Sequence, residues 1–426
     1  MTPIMSQKKR FFLFCFFSSV VFLQGIFLIP ALDRDESRFA AASKNMIQTK
    51  DYVDIRLEGE PRYKKPIGIY WAQSLSTTLL GESPYDEIWT YRIPSFLGII
   101  LSIILIYLRV KKIFGEEEAL LSCFFLSTSL LLISEIHQAK SDGLLFLFIT
   151  ICNLILLSKI NESHNLKKNN TKQIDFQSII FWISLGLGVL IKGPIIIIFV
   201  FVPLILFSLI KKNIFFIKTI HSFLGYMIFF IIIVPWFVII SIKSGGIFWH
   251  ESLINDLLRK VGSGQESHGF FPGYYSLFLF IFLWPASTFI INFFLNAFRN
   301  RKNFIKINEA ILFLICWFLP CFLIYEMIPT KLPHYVLPSY PALIILLSIY
   351  ITKNNKSKKQ IFDKYSFLGF IPYPIIFISA MPVIINHYSN IDFFTVIFCI
   401  LLISVFIFCL FQISRKNFKK FIAGSF

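Results

Sequence analysis

Apolar runs long enough to cross a bilayer recur from Phe11 almost to the end of the 426-residue chain, and no other feature restricts its fold as strongly. Inside hydrocarbon there is no water to satisfy backbone N–H and C=O groups, so a spanning segment must satisfy its own. Contiguous rather than alternating apolar runs of this length select helices. Composition points the same way: 56% of residues are hydrophobic, 52 are Phe, only 15% are charged, and the mean hydropathy is +0.70. A soluble domain carries roughly a quarter charged residues. The expected fold is therefore an all-α polytopic membrane protein. A large soluble catalytic domain is excluded, because the longest stretch without a membrane-length run, Asp33 to Tyr91, holds about 60 residues.

Twelve spans are expected, at Phe11–Pro30, Arg92–Leu108, Ala119–Ser134, Gly143–Ser158, Phe176–Ile191, Pro194–Ile210, Ser222–Ile242, Tyr274–Asn296, Glu309–Ile328, Pro338–Tyr350, Ser366–Ile385 and Phe393–Ile413. Lys8, Lys9 and Arg10 ahead of the first run resemble a signal peptide. The run reaches Pro30 without a small-residue cleavage site, so it is read as an uncleaved first helix. With the N-terminus in the cytoplasm, this threading puts most of the 41 Lys and Arg residues on the inner face and most of the 24 Asp and Glu residues on the outer face. That asymmetry sets both termini inside. It also accounts for the net charge of +17 without nucleic acid as a partner. The lysine- and asparagine-rich inner loops at 166–172 and 353–359 read as topology signals. All seven cysteines fall in spans with no CxxC pair, which implies neither a disulfide framework nor a zinc site.

The outer loops mix acids, bases, imidazoles and aromatics. In Asp33-Arg34-Asp35-Glu36-Ser37-Arg38-Phe39, Asp35 is positioned to cap a short helix, with Arg38 one turn on. In Arg62-Tyr63-Lys64-Lys65-Pro66, two lysines stand outside against the usual charge bias, next to an aromatic segment suited to the interface. Such a pair can hold a phosphate or anchor the chain to headgroups. Asp142 opens the fourth span, and Lys192 sits in a short outer turn before Gly193-Pro194. His268 lies in the long loop after span seven, and Lys331, His334 and Tyr335 precede span ten. Taken one at a time, these residues read as solvated caps, headgroup anchors or hydrogen-bonded loop histidines. Together they converge on one side of the membrane, as a water-accessible site would require.

Asp35-Glu36-Ser37-Arg38-Phe39, then Arg62-Tyr63-Lys64-Lys65-Pro66 with Tyr70-Trp71, resembles the first outer loop of the GT-C glycosyltransferases. The closer likeness is to the bacterial branch of aminoarabinose transferases and protein mannosyltransferase-like relatives. Arg92-Ile93-Pro94-Ser95, Ile191-Lys192-Gly193-Pro194 and Lys331-Leu332-Pro333-His334-Tyr335 follow in the order of that branch's later motifs. The resemblance covers residues about 30 to 345. One departure is the position before Lys65, acidic in some relatives and here Lys64. The resemblance implies transfer of a sugar from a polyprenyl-phosphate carrier to a lipid acceptor of lipid A or lipopolysaccharide type, or another envelope acceptor, at the periplasmic face of the inner membrane. It implies Asp35 as principal catalytic carboxylate, Asp142 as the second acid and Glu36 beside them. Tyr63, Lys65 and Lys192 would contact the donor phosphate, with Arg38 orienting the acids. His268, Lys331, His334 and Tyr335 would line the cavity toward the acceptor. It further implies a catalytic core over residues 1–350, including a periplasmic loop 33–91 with short interfacial helices, and a C-terminal part over 351–426.

The chemistry fits without the name. No Gly-rich βαβ unit is available for a nucleotide sugar, so a donor used outside the cytosol must arrive activated on a lipid. Lysines and arginines can stabilise the leaving phosphate, so neither a cofactor nor a metal is required. A secondary transporter or a flippase for lipid-linked intermediates is the main competing reading. Ion-coupled transporters carry ionisable residues near the midplane, and the mid-span positions here are almost wholly Phe, Leu, Ile and Val. A structural scaffold has no use for a long outer loop rich in both charges. A lipid phosphatase needs a nucleophile cluster that the scattered histidines do not form.

Overall fold

The computed structural model describes residues 22–23, 25–31, 33–166, 175–213, 215–218, 220–262, 269–299, 308–356, 362–388 and 393–425. The first outer loop contains α1 (Arg34–Thr49) and α2 (Gly68–Leu80), joined through a two-stranded ribbon. The membrane region follows with α3 (Ile88–Ile113), α4 (Glu116–Ser127), α5 (Leu130–Ile136), α6 (Asp142–Leu166), α7 (Phe176–Lys192), α8 (Ile195–Ile210) and α9 (Phe223–Lys243). After a helical segment over Ile247–Gly262 come α10 (Tyr274–Phe282), α11 (Ile290–Arg299), α12 (Glu309–Met327), α13 (Tyr340–Lys356), α14 (Lys364–Phe370), α15 (Pro372–Tyr388), α16 (Phe393–Ser414) and α17 (Phe418–Ser425).

Six of these helical stretches are long and apolar enough to cross a membrane, two bent pairs could each serve as one more crossing, and three shorter apolar helices remain, all among the described residues. Eleven of the twelve expected spans thus fall on helices, and most of the first lies outside the described residues. Two expected spans are not straight. Ala119–Ser134 is divided between α4 and α5, which meet at 63°. There Thr128 donates its hydroxyl to the Phe124 carbonyl (2.9 Å), offering the helix end a side-chain partner. Tyr274–Asn296 is broken at Leu283–Pro285 with a bend of 117°, because Pro285 supplies no N–H to continue the ladder.

Packing of α3 against α6 is set by two glycines. A Cβ on Gly98 would lie 2.4 Å from the carbonyl oxygen of Gly143, and one on Gly143 would lie 2.7 Å from Cα of Ser95. With hydrogen in both places the two backbones touch, and Ser95 donates its hydroxyl to the Lys140 carbonyl across the crossing (3.0 Å). This contact sets the height of the 137–142 turn beside α1. Gly98→Ala is accordingly expected to destabilise the protein by about 1–3 kcal/mol, the usual range for overpacking. The check is the unfolding midpoint of the full chain in detergent; an unchanged midpoint would show that the crossing has slack.

The outer loop is built on local rules. Glu58 (φ +53°) and Gly59 (φ +85°) form a two-residue turn between Arg56–Leu57 and Glu60–Pro61, paired Arg56 with Pro61 and Leu57 with Glu60. Positive φ at both turn residues matches the twist of a short hairpin, and Gly59 takes it without strain. α2 leaves Leu75, Leu79 and Leu80 exposed while burying Tyr70, Gln73 and Thr77. That is the pattern of a helix lying at the membrane interface, with its apolar face toward lipid.

Candidate active site

A cavity of about 640 Å³ opens where α1, the hairpin, the 137–142 turn, the Ile247–Gly262 segment and the approach to α13 meet. Its wall includes Asp33, Asp35, Arg62, Lys64, Lys65, Lys140, Asp256, Lys260 and His334. A second cavity of about 350 Å³ adjoins it and shares Asp33, Gln138, Lys140, Leu332 and His334, with Leu130, Leu131 and Phe282 on its apolar side.

Asp33, not Asp35, is the N-cap of α1. One Asp33 carboxylate oxygen accepts from the Asp35 backbone N–H (2.6 Å), and the other accepts from the Lys140 ammonium. Burial raises the Asp33 carboxyl, but the Lys140 hydrogen bond and charge outweigh it and hold the group below its usual value. The cap is supplied two residues earlier, so the Asp35 side chain does not cap the helix and lines the cavity instead. It remains 44% exposed, and Arg38 stands 3.9 Å away. Arg38 itself is not in the described cavity wall.

In the same cavity Lys65 pairs with Asp256, whose other oxygen accepts from Lys260 (2.7 Å). Burial pulls Lys65 down to about 8, helped by the nearby Lys260 and Lys192 charges and opposed by Asp256. Burial raises Asp256, but its two lysines prevail and hold it at about 2. Two cations therefore converge on one carboxylate in the cavity wall, an arrangement that a phosphate can share or take over.

Behind this wall Lys192 donates to Asp142 (2.5 Å) and lies over the Tyr335 ring (5.5 Å). His334 stands between the cavities and the buried acids, with Nδ1 3.6 Å from Glu135 and Nε2 3.9 Å from Asp142. Ligand atoms of Glu135, Asp142 and His334 lie within 4.8 Å of one another, a spacing that could hold a metal ion. Lys192 already supplies Asp142 with a positive charge at closer range.

Several residues expected at the site have other work. Glu36 is 1% exposed and accepts from Arg92 through both oxygens (2.7 and 3.2 Å) and from the Ala139 N–H (3.0 Å). It ties α1 to α3 and is removed from solvent. Tyr63 donates to Asp54 (2.7 Å) and packs edge-on against Phe248, locking the hairpin to the Ile247–Gly262 segment. Burial and the Asp54 charge push its phenol up to about 12, and its hydroxyl is already engaged. Lys331 is buried, donates to the Tyr325 and Glu326 carbonyls at the end of α12, and covers the Tyr275 ring. It caps a helix. His268 lies outside the described residues.

Sequence reasoning passed over Asp33, Arg62, Lys140, Asp256 and Lys260 as site residues. Asp256 and Lys260 carried a signal, an acid four residues before a lysine in the long outer loop after span seven. Arg62 carried only its place beside Lys64 and Lys65.

Comparison with known proteins gives the fold a context. Residues 64–239 match the family described as dolichyl-phosphate-mannose-protein mannosyltransferase. A protein of Wigglesworthia glossinidia brevipalpis, named undecaprenyl phosphate-alpha-4-amino-4-deoxy-L-arabinose arabinosyl transferase, is 28% identical over 94% of this chain and 71% of its own. A protein of Aquifex aeolicus is 26% identical over 82% and 74%. In structure, the crystal form of ArnT from Cupriavidus metallidurans bound to undecaprenyl phosphate superposes with a TM-score of 0.76 at 19% identity, over 98% of this chain and 75% of that one. The chain is thus a multi-pass membrane glycosyltransferase with the GT-C fold. Its sequence likeness is to aminoarabinose transferases and, over residues 64–239, to the protein mannosyltransferase family.

Proposed function

We propose that the protein moves a sugar from a polyprenyl-phosphate carrier to a lipid acceptor of the cell envelope, at the periplasmic face of the inner membrane. One observation supports the reading: a single cavity is lined by Lys65 and Lys260 together with the part-exposed carboxylate of Asp35, which has Arg38 3.9 Å away. The donor phosphodiester sits at the two lysines. The bond between the anomeric carbon and the phosphate oxygen breaks, and the acceptor oxygen bonds to that carbon. The carrier leaves as a phosphate monoester with one more negative charge, which the ammonium groups stabilise. Asp35 takes the proton of a hydroxyl acceptor; with an ionised phosphate acceptor it steadies the positive charge developing on the sugar. His334, Lys192, Tyr335 and Asp142 shape the floor. The apolar side of the smaller cavity, at Leu130, Leu131 and Phe282, suits a lipid chain. The core for this activity is residues 1–350, with 351–426 as an accessory helical part.

Lys65→Ala is expected to raise the donor's apparent KM by about tenfold or more, the usual loss when a charged partner of a phosphate is removed. Because Lys65 is held down to about 8, it gives up its proton as pH rises through that value and donor affinity falls with it. Lys65→Arg should keep affinity at alkaline pH, since a guanidinium stays charged. Undecaprenyl phosphate binding to the full chain in nanodiscs from pH 6 to 9.5 checks both; affinity that is flat with pH in the wild type would remove Lys65 from the phosphate site.

Sidedness has its own test. Single cysteines at 35 and 256, on a background without native cysteines, should label with an impermeant thiol reagent added from the periplasmic side. Labelling that needs a permeabilised inner membrane would invert the topology.

A further inference from the structure

We infer that the cavity holds a second oxyanion, separate from the donor phosphodiester, and that Arg62 receives it; this rests on the transfer reading above. Arg62 lines the cavity yet is only 8% exposed. Its neighbours in the wall have their charges answered: Lys65 and Lys260 by Asp256, Lys140 by Asp33. Among the described residues Arg62 forms no ion pair, and its Nε is buried with no hydrogen-bond partner. It lies over the Phe39 ring at 5.5 Å, one turn of α1 beyond Asp35. The buried Tyr70 hydroxyl is its neighbour, a neutral group that supplies no counter-charge. Nor can the arginine simply leave, because its backbone N–H donates to Ile55 (2.8 Å) at the base of the hairpin.

A buried guanidinium without a counter-charge is unfavourable by itself and becomes favourable when an oxyanion pairs with it. The donor brings a single phosphodiester charge, which Lys65 and Lys260 already face. A second anionic group has two sources: a carboxylate on the transferred sugar or a phosphate on the acceptor headgroup. Both offer the same oxygens to the same fork.

The test uses the full chain in nanodiscs and two matched pairs of lipid probes. One pair is undecaprenyl phosphate carrying galacturonate or galactose. The other is an acylated glucosamine disaccharide with or without its phosphates. Wild type should bind the charged member of one pair about tenfold or more tighter than the neutral member, as expected for a charge-assisted bidentate contact. Discrimination within the first pair assigns the anion to the sugar, and within the second to the acceptor. Arg62→Gln should bring that preference to within about threefold while changing affinity for bare undecaprenyl phosphate by less than about threefold. If Arg62→Gln does not fold, Arg62→Lys serves: it keeps the charge but loses the fork, so the preference should fall several-fold. No charge preference in wild type, or a preference that survives either substitution intact, overturns the inference. So does a loss of bare undecaprenyl phosphate binding by Arg62→Gln as large as that of Lys65→Ala, which would place Arg62 on the donor phosphate. Wild type that binds no undecaprenyl phosphate at all overturns the transfer reading instead.

Discussion

Asp35→Asn is expected to reduce turnover by about two orders of magnitude or more, the range for loss of a general base or charge-stabilising carboxylate. The fold should be unaffected. Asp35 is 44% exposed, has Arg38 only at 3.9 Å, and does not cap α1. Asn preserves size and removes charge and basicity together. The informative control is two residues away. Asp33→Asn leaves a capping side chain but breaks the charge pair with Lys140; Asp33→Ala removes the cap as well and should lower stability by about 0.5–2 kcal/mol. A functional defect at position 35 and a stability defect at position 33 would separate chemistry from capping. Turnover of the purified full chain in nanodiscs, supplied with sugar-loaded polyprenyl phosphate extracted from native membranes, is the measurement. Near-normal turnover in a well-folded Asp35→Asn protein would remove the residue from catalysis.

The largest effect on stability is expected at Arg92. Its guanidinium is 1% exposed and donates to both oxygens of Glu36 and to the carbonyls of Ile26 (2.9 Å), Ile29 (2.6 Å) and Pro30 (3.1 Å). One side chain thus satisfies the carbonyls at the end of the chain segment preceding α1 and clamps α1 to α3. Arg92→Met leaves the Glu36 carboxylate buried without its cation, a change that costs about 3–5 kcal/mol. Glu36→Leu in the Arg92→Met background should recover part of that loss, because the stranded charge is then gone. Denaturant midpoints of the four proteins in detergent form the cycle. Additive single effects would show that the pair is not a clamp.

Glu36 and Asp33 explain where a reading of residues alone goes astray. Asp33, Asp35 and Glu36 stand within four positions at a helix start, and each is an acid of the kind that caps, pairs or catalyses. Which one does which is set by the direction each points once α1 is docked. Asp33 precedes the first helical residue and folds back on the Asp35 N–H. Glu36 faces α3, where Arg92 is waiting, and Asp35 faces the opening. Tyr63 and Lys331 depend on docking in the same way: the Tyr63 hydroxyl is engaged by Asp54 and the Lys331 ammonium by the carbonyls at the end of α12.

Membrane class, helical spans and the concentration of charged chemistry in a few connecting loops were legible before any coordinates. These depend on sums over contiguous residues: the transfer free energy of about 20 neighbours decides whether a segment enters lipid, and no distant partner can reverse it. Turn chemistry is equally local, and proline at 285 interrupts its helix wherever that helix is packed. Pairings across the site are not sums of this kind. Lys65 meets Asp256 across 191 positions, Lys140 meets Asp33 across 107, and Lys192 meets Asp142 across 50. Electrostatic interaction depends on distance and burial in space, both of which arise only when α3 and α6 close on Gly98 and Gly143 and the hairpin docks against Phe248. The tertiary structure alone therefore decided which cations are answered by carboxylates, which acid lines the cavity rather than capping α1, and that Arg62 is buried without a counter-charge.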